Sequence, residues 1–202
     1  MNMILPWAKS EIQDIIEGER VLLRPLAPED RAHIRHWETN RSDLLSGYNY
    51  GDMTAVEADF WFRSKQGRQV RYFAIDLPER PLIGYLGAKR INRLLKTALL
   101  GIVLDPAYQS RGYGGDALNR FLQYYFEEWK MRRLDLEVNQ FNLRAIALYE
   151  KLGFSYTGES FEKFENQCID FADEDYRPFE QYFFIRNGTT YSKLWTMRKE
   201  TG

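Results

Sequence analysis

A chain of 202 residues with a single cysteine, Cys168, cannot close an internal disulfide, and a reducing compartment suits that composition. Histidine is nearly as scarce. His33 and His36 stand one helical turn apart, but no cysteine or acid cluster accompanies them, so solvent exposure is expected rather than a metal site. An excess of charge of one sign is also missing. Lys and Arg number 28 against 29 Asp and Glu, a formal net charge of −1, so no global positive field recruits nucleic acid. No apolar run reaches ten residues, where a membrane-spanning helix needs roughly twenty. The N-terminal stretch MNMILPWAKSEIQDII lacks the basic segment and long apolar core of a signal peptide. These absences predict no membrane partner and a cytoplasmic location. With no internal repeat, low-complexity tract or linker-like stretch, a single domain over 1–202 is expected, its first 18 or so residues an extension. No Gly-x-x-x-x-Gly-Lys-Ser/Thr segment occurs, which argues against nucleoside triphosphate hydrolysis, and no metal is assigned.

What is present is a 44% hydrophobic, 15% aromatic chain patterned as mixed α and β. RVLLRPL (20–26) reads as a strand. Pro28 with Glu29 and Asp30 reads as a first helical turn, and that helix is expected to run to about Asn40. Thr54 and Glu57 have capping-box spacing and open a helix to about Gln66. Two strands, 71–77 and 82–91, flank the turn PERP, and 97–105 is apolar enough to lie centrally in a sheet. Ala117, Leu118, Phe121, Leu122, Tyr125, Phe126 and Trp129 then trace one apolar helical face of about four turns. RLDLEVN (133–139) alternates as a strand, and NLRAIALYEKLGF (142–154) reads as a helix closed by Gly153. Asn187-Gly188 between two aromatic, β-branched runs is a hairpin signal.

The loop DPAYQSRGYGG (105–115) admits several readings. The plainest is a strand-to-helix connection whose glycines permit tight turning. Gly112-x-Gly114-x-x-Ala117 also fits a dinucleotide-binding fingerprint, with Glu137 at the end of the next strand where a ribose-binding acid belongs. Against it, PAYQSR separates the strand from the first glycine, and only one short helix follows before the hairpins.

A third reading uses more of the residues. QSRGYG (109–114) resembles the Gln/Arg-x-x-Gly-x-Gly/Ala signature of the GCN5-related N-acetyltransferase (GNAT) superfamily. Asn142, Ala145, Tyr149, Gly153 and Phe154 resemble its second hallmark, Asn-x-x-Ala-x-x-x-Tyr-x-x-x-Gly-Phe. The ends of the chain are similar to the ribosomal-protein and spermidine N-acetyltransferase branch, so the resemblance covers roughly residues 19–199. It implies an α+β fold with a central twisted mixed sheet flanked by helices. It also implies transfer of acetyl from acetyl-CoA to a primary amine by direct attack, on a small-molecule or peptide acceptor, and is compatible with a homodimer. A non-catalytic acyl-CoA-binding protein on the same fold is the alternative.

By this resemblance, Gln109, Arg111, Gly112, Tyr113, Gly114 and Gly115 hold the coenzyme pyrophosphate. A helix N-terminus offers unpaired amides and about half a positive charge there, and Arg111 would add its own. Ile102, Val103 and Leu104 would supply backbone groups to the pantetheine arm and the thioester carbonyl. Asn142 would cap its helix and touch the coenzyme. Tyr149 would stand beside the departing sulfur as acid. The strand TALLGIVL lacks the carboxylate that many relatives place there, so the base is open: Glu137 leads, Asp105 follows, and a water chain could replace both. Tyr48, Tyr50, Trp61 and Phe62 fall where the superfamily builds its acceptor pocket, and each could equally be core. The acidic run FADEDY (171–176) reads as a solvated loop or an attraction for a cationic substrate.

Overall fold

The computed structural model describes residues 15–201, so most of the N-terminal stretch weighed as a signal peptide lies outside the described residues. The elements run β1 (Ile16–Glu17), β2 (Leu22–Pro25), α1 (Asp30–Ile34), α2 (Ala55–Ser64), β3 (Arg71–Leu77), β4 (Arg80–Asn92) and β5 (Thr97–Leu104). They continue with α3 (Tyr113–Gln123), β6 (Arg133–Asn139), α4 (Leu143–Lys151), β7 (Ser155–Lys163), β8 (Phe183–Arg186) and β9 (Thr189–Glu200). One sheet holds all the described strands, in the order β1-β2-β3-β4-β5-β6-β9-β7, with β8 also on β9. Every described pairing is antiparallel except β5 with β6, which α3 joins as a crossover.

Two apolar layers cover the sheet. On one face Phe73, Ile75, Ile83 and Leu86 pack with Leu118, Phe121 and Tyr125 of the α3 segment, and with Ile146 and Tyr149 of α4. Each such fully buried side chain contributes about 1.5–3 kcal/mol. On the other face Trp37, Ala58, Trp61, Tyr72, Leu82 and Tyr85 form an aromatic layer under α1 and α2. Alternation along β5 sorts its residues between the two: Leu100, Ile102 and Leu104 join the first, and Val103 the second.

Local signals act as expected where the chemistry is local. Thr54 and Glu57 form the reciprocal capping box, and Asn187 (φ 51°) with Gly188 (φ 71°) gives the paired positive φ of a type I′ hairpin. Tertiary demands override the pattern elsewhere. The first helix ends at Ile34 instead of near Asn40, because the Trp37 indole turns inward to donate to the Leu82 carbonyl (2.7 Å) and the Glu38 amide reaches Asp105. Asp30, in the first turn of α1 as expected, is a buried carboxylate. It accepts both Arg24 guanidinium nitrogens at 2.8 Å and the Ala27 amide at 2.8 Å, while Arg24 also binds Asp76. The long helix changes at Tyr124 to a π-helical turn, with Trp129 N–H bonding Tyr124 C=O at 2.8 Å, which lets Tyr124 and Tyr125 both enter the core. β7 has no apolar alternation to announce it: all but one of its residues are exposed, and it forms because β9 offers an edge.

Candidate active site

The site begins where two strands part. β5 and β6 pair at Thr97, Ala98 and Leu99 against Arg133, Leu134 and Asp135, and no further. β5 stays with β4 as far as Leu104, and β6 stays with β9 as far as Asn139, so the strands diverge and a cleft of about 890 Å³ opens between them. The Asp105 amide bonds the Ile83 carbonyl at 2.9 Å. Backbone alternation therefore turns the amides and carbonyls of Val103 and Gly101 toward β4, and those of Leu104, Ile102 and Leu100 toward the cleft. Of the three residues expected to offer backbone groups, Ile102 and Leu104 face the opening and Val103 does not. The Leu104 carbonyl already accepts from Gln109 Nε2 at 3.2 Å.

At the mouth, Gly112 adopts φ +86° and caps α3. The first intrahelical bond runs from Asp116 N–H to Gly112 C=O, so the amides of Tyr113, Gly114 and Gly115 have no helical acceptor. A Cβ on Gly114 would stand 2.8 Å from Leu104 Cδ1, so glycine there lets the helix start approach the strand end. The guanidinium beside this cradle belongs to Arg20. It donates to the Arg111 carbonyl at 2.8 Å, lies 4.3 Å from the Tyr113 ring centroid and lines the cleft. Arg111 does not line it; its guanidinium sits 5.7 Å from the Tyr108 ring centroid. Asp116 in the same turn is occupied by the amides of Glu19, Arg20 and Val21, which fixes Arg20 in place. Arg144 is a second guanidinium at the mouth, donating to Gln109 Oε1 (2.8 Å) and Ser110 Oγ (3.2 Å). No local pattern points to Arg20, which lies in the bend before β2, or to Arg144, which fills a variable place in its motif. Asn142 caps α4 by accepting the Ala145 amide at 3.2 Å, and lines the cleft.

Tyr149 is buried on α4 against Phe154, with its cleft side lining the opening. Burial alone pushes its phenol up to about 12. Asp105 takes a different place from the one considered for it. It is buried, and its Oδ1 accepts the Ala107 and Glu38 amides, which ties the chain after α1 to the end of β5; desolvation raises its pKa. Glu137 projects from β6 on the face opposite Leu136 and Val138, into the cleft and into an adjoining pocket of about 120 Å³ shared with Lys89, Asn139 and Glu162. Partial desolvation of its carboxyl, on an otherwise exposed residue, and the nearby Glu165 and Glu137 raise the Glu162 pKa, with Lys89 opposing. Asn139 Oδ1 is buried without a hydrogen-bond partner among the described residues.

Tyr48, Tyr50, Tyr72 and Tyr85 wall the aromatic side, and the Tyr50 and Tyr85 hydroxyls are 2.9 Å apart. Tyr48 is exposed overall, but desolvation of its hydroxyl in the cleft and the nearby Glu165 raise the phenol pKa. Trp61 and Phe62 do not line the cleft: Trp61 is buried edge-on to Tyr85, and Phe62 packs beneath Arg31. The remaining motifs lie elsewhere. His36 bonds the Ala32 carbonyl, no metal-ligating cluster occurs among the described residues, and the segment 170–177 is a series of surface turns. The dinucleotide reading fails on topology, since the strand feeding the glycines runs antiparallel to β4 and only one parallel pair occurs among the described strands.

An open strand edge leading to a glycine-built helix start, with a buried phenol on the wall of the same cleft, has the shape and the free amides to take a long anionic chain. The acetyltransferase (GNAT) domain family matches residues 20–155, and the chain belongs to that family. Spermidine N(1)-acetyltransferase of Vibrio cholerae is 31% identical over 73% of this chain and 86% of the relative. The Escherichia coli K12 spermidine N(1)-acetyltransferase is 28% identical over 71% and 77%. In fold, the chain is similar to spermidine N-acetyltransferase from Vibrio cholerae solved with CoA and spermine, with TM-score 0.67 and 23% identity over 91% of this chain and 96% of that one. The expected α+β fold is thus the observed one, and the protein is an N-acetyltransferase that moves acetyl from acetyl-CoA to an amine. No helix among the described residues is long and apolar enough to cross a membrane.

Proposed function

We propose that acetyl-CoA binds with its pyrophosphate on the Tyr113, Gly114 and Gly115 amides, assisted by Arg20, and its pantetheine arm along the free edge of β5 at Ile102 and Leu104. The amine enters from the side walled by Tyr48, Tyr50, Tyr72 and Tyr85. The observation that carries this reading is the parting of β5 from β6 after Leu99, which leaves a strand edge without a partner directly in line with a glycine-built helix start. The bound thioester supplies the electrophilic carbonyl and the thiol leaving group.

The residues then have separable tasks. The Ile102 amide, fixed toward the cleft, stabilises negative charge growing on the carbonyl oxygen. The amine nitrogen forms its bond to carbon as the carbon–sulfur bond breaks, so no enzyme nucleophile is needed, in keeping with an exposed Cys168 that does not line the cleft. An alkylammonium of pKa near 10.4 holds its proton at pH 7 with a handicap to attack of about 3.4 units, or roughly 4.6 kcal/mol, so that proton must be removed. Glu137 receives it, directly or through water. Glu137 is favoured over Asp105 because it lines the cleft and Asp105 does not. Tyr149 donates a hydrogen bond to the departing sulfur.

Calorimetric titration with acetyl-CoA, with NADH in parallel, tests the reading. Micromolar-range binding of acetyl-CoA alone is expected, and Gly114→Glu should weaken it by more than about tenfold, because any side chain there displaces Leu104 and fills the cradle. Absence of acetyl-CoA binding would return the glycines to an ordinary turn.

A further inference from the structure

The acceptor end of the cleft is bipolar. On one side stand Glu137 and Glu162 with Asn139, whose buried Oδ1 accepts nothing among the described residues. On the other stands Lys65, just past the end of α2. Its Nζ lies 5.2 Å from the Tyr72 ring centroid and 5.5 Å from that of Tyr85, and it forms no ion pair among the described residues. Lys89 separates the two sides, projecting from β4 on the same face as Tyr85 and lining both the cleft and the adjoining pocket. Lys89 acts electrostatically on Glu162, opposing the neighbouring carboxylates, but forms no ion pair with it among the described residues. The charge on Lys65 is not matched: its electrostatic neighbour is Lys89, and burial together with that like charge lowers its pKa.

An ammonium held partly out of water, resting on ring faces beside a second ammonium, is relieved by an anion. The opposite side of the same opening carries acceptors suited to an amine. We propose that the acceptor amine carries an anionic group, a carboxylate or a phosphate, which Lys65 binds while Glu137 and Asn139 take the amine end. The proposal rests on the reading of the cleft as an acetyl-transfer site. It sets this chain apart from its spermidine-acetylating relatives, because the second ammonium of a polyamine, extended toward Lys65, would meet like charge.

Matched acceptors test it, with release of CoA thiol as the readout: β-alanine against propylamine, phosphoethanolamine against ethanolamine, and spermidine. The charged member of at least one pair is expected to exceed its neutral partner in kcat/KM by about tenfold to a hundredfold, the worth of a charge-assisted contact. The two pairs distinguish carboxylate from phosphate. Lys65→Met, which keeps the aliphatic stem on the rings, should collapse that ratio toward one, and Lys65→Arg should retain it; acetyl-CoA affinity reports that each variant is folded. Added sulfate, which requires no variant, should raise KM for the charged member and not for the neutral one. Preference for spermidine or for the neutral amines, or a ratio that survives Lys65→Met and sulfate, would overturn the proposal while leaving acetyl transfer intact. Acetyl-CoA binding with no amine turned over would overturn the transferase reading, and this inference with it.

Discussion

Replacing Tyr149 by Phe removes one oxygen from a site where its chemical value can be worked out beforehand. Burial alone raises the phenol to about 12, whereas a thiol leaving group has a pKa of about 8.5, so complete proton transfer from Tyr149 to thiolate is uphill. On the proposed assignment the phenol therefore acts by donating a hydrogen bond to sulfur as charge grows there. Such a bond to a charged acceptor contributes about 1.5–3 kcal/mol, which is about ten- to a hundredfold in kcat. No other described residue bonds the Tyr149 hydroxyl, so the Phe variant strands no partner, and its stability should stay within about 0.5 kcal/mol of the parent. Steady-state kcat, calorimetric acetyl-CoA affinity and thermal unfolding measure the three quantities separately. The pH profile adds a fourth. The acceptor amine loses its proton as pH rises, so kcat/KM climbs; Tyr149 keeps its proton throughout, because its pKa lies above the window, and no descending limb should appear below about pH 10. A kcat within about threefold of the parent, or a descending limb near pH 8 to 9 that the Phe variant lacks, would refute the assignment.

Exchanging the two arginines near the cradle for alanine separates the side chain that lines the cleft from the one stacked on Tyr108. Arg20→Ala should raise the acetyl-CoA Kd by about tenfold, with a shallower salt dependence, and Arg111→Ala should leave it within about twofold; the reverse order, measured by titration at two ionic strengths, would contradict the geometry. Asp30→Ala should destabilise the fold by about 3 kcal/mol, at the lower end for a broken buried pair because Arg24 keeps Asp76; denaturant unfolding that shows less than about 1 kcal/mol would mean the triad is dispensable.

Features set by a few neighbouring residues are legible in the amino-acid sequence. The capping box at Thr54 and Glu57, the positive φ at Gly112, Gly153 and Gly188, the Asn142 cap and the alternation of 133–139 each follow from contacts within about one turn or one hairpin. The two glycine- and tyrosine-bearing motifs are legible for the same reason, since each lies on one strand–helix junction or one helix. The first helix marks the limit of such local signals. Its start follows the pattern, but it stops short because Trp37 gains more by burying its indole against Leu82 than by continuing the turn.

The chemistry that depends on distant segments was decided by the sheet. Arg20 stands by the glycine loop because the Asp116 carboxylate gathers amides some 95 residues away. The Val103 backbone turns from the cleft and that of Ile102 toward it because one β4 pairing sets the register of β5, and a register is a property of two strands together. Lys65 and Lys89 come from a helix end and a strand, and Glu137, Asn139 and Glu162 from two more strands. They line one opening and its adjoining pocket only once β5 and β6 part after Leu99. Local sequence determines which backbone shapes are cheap; which side chains share a cavity is determined by long-range pairing, whose energy no single segment contains.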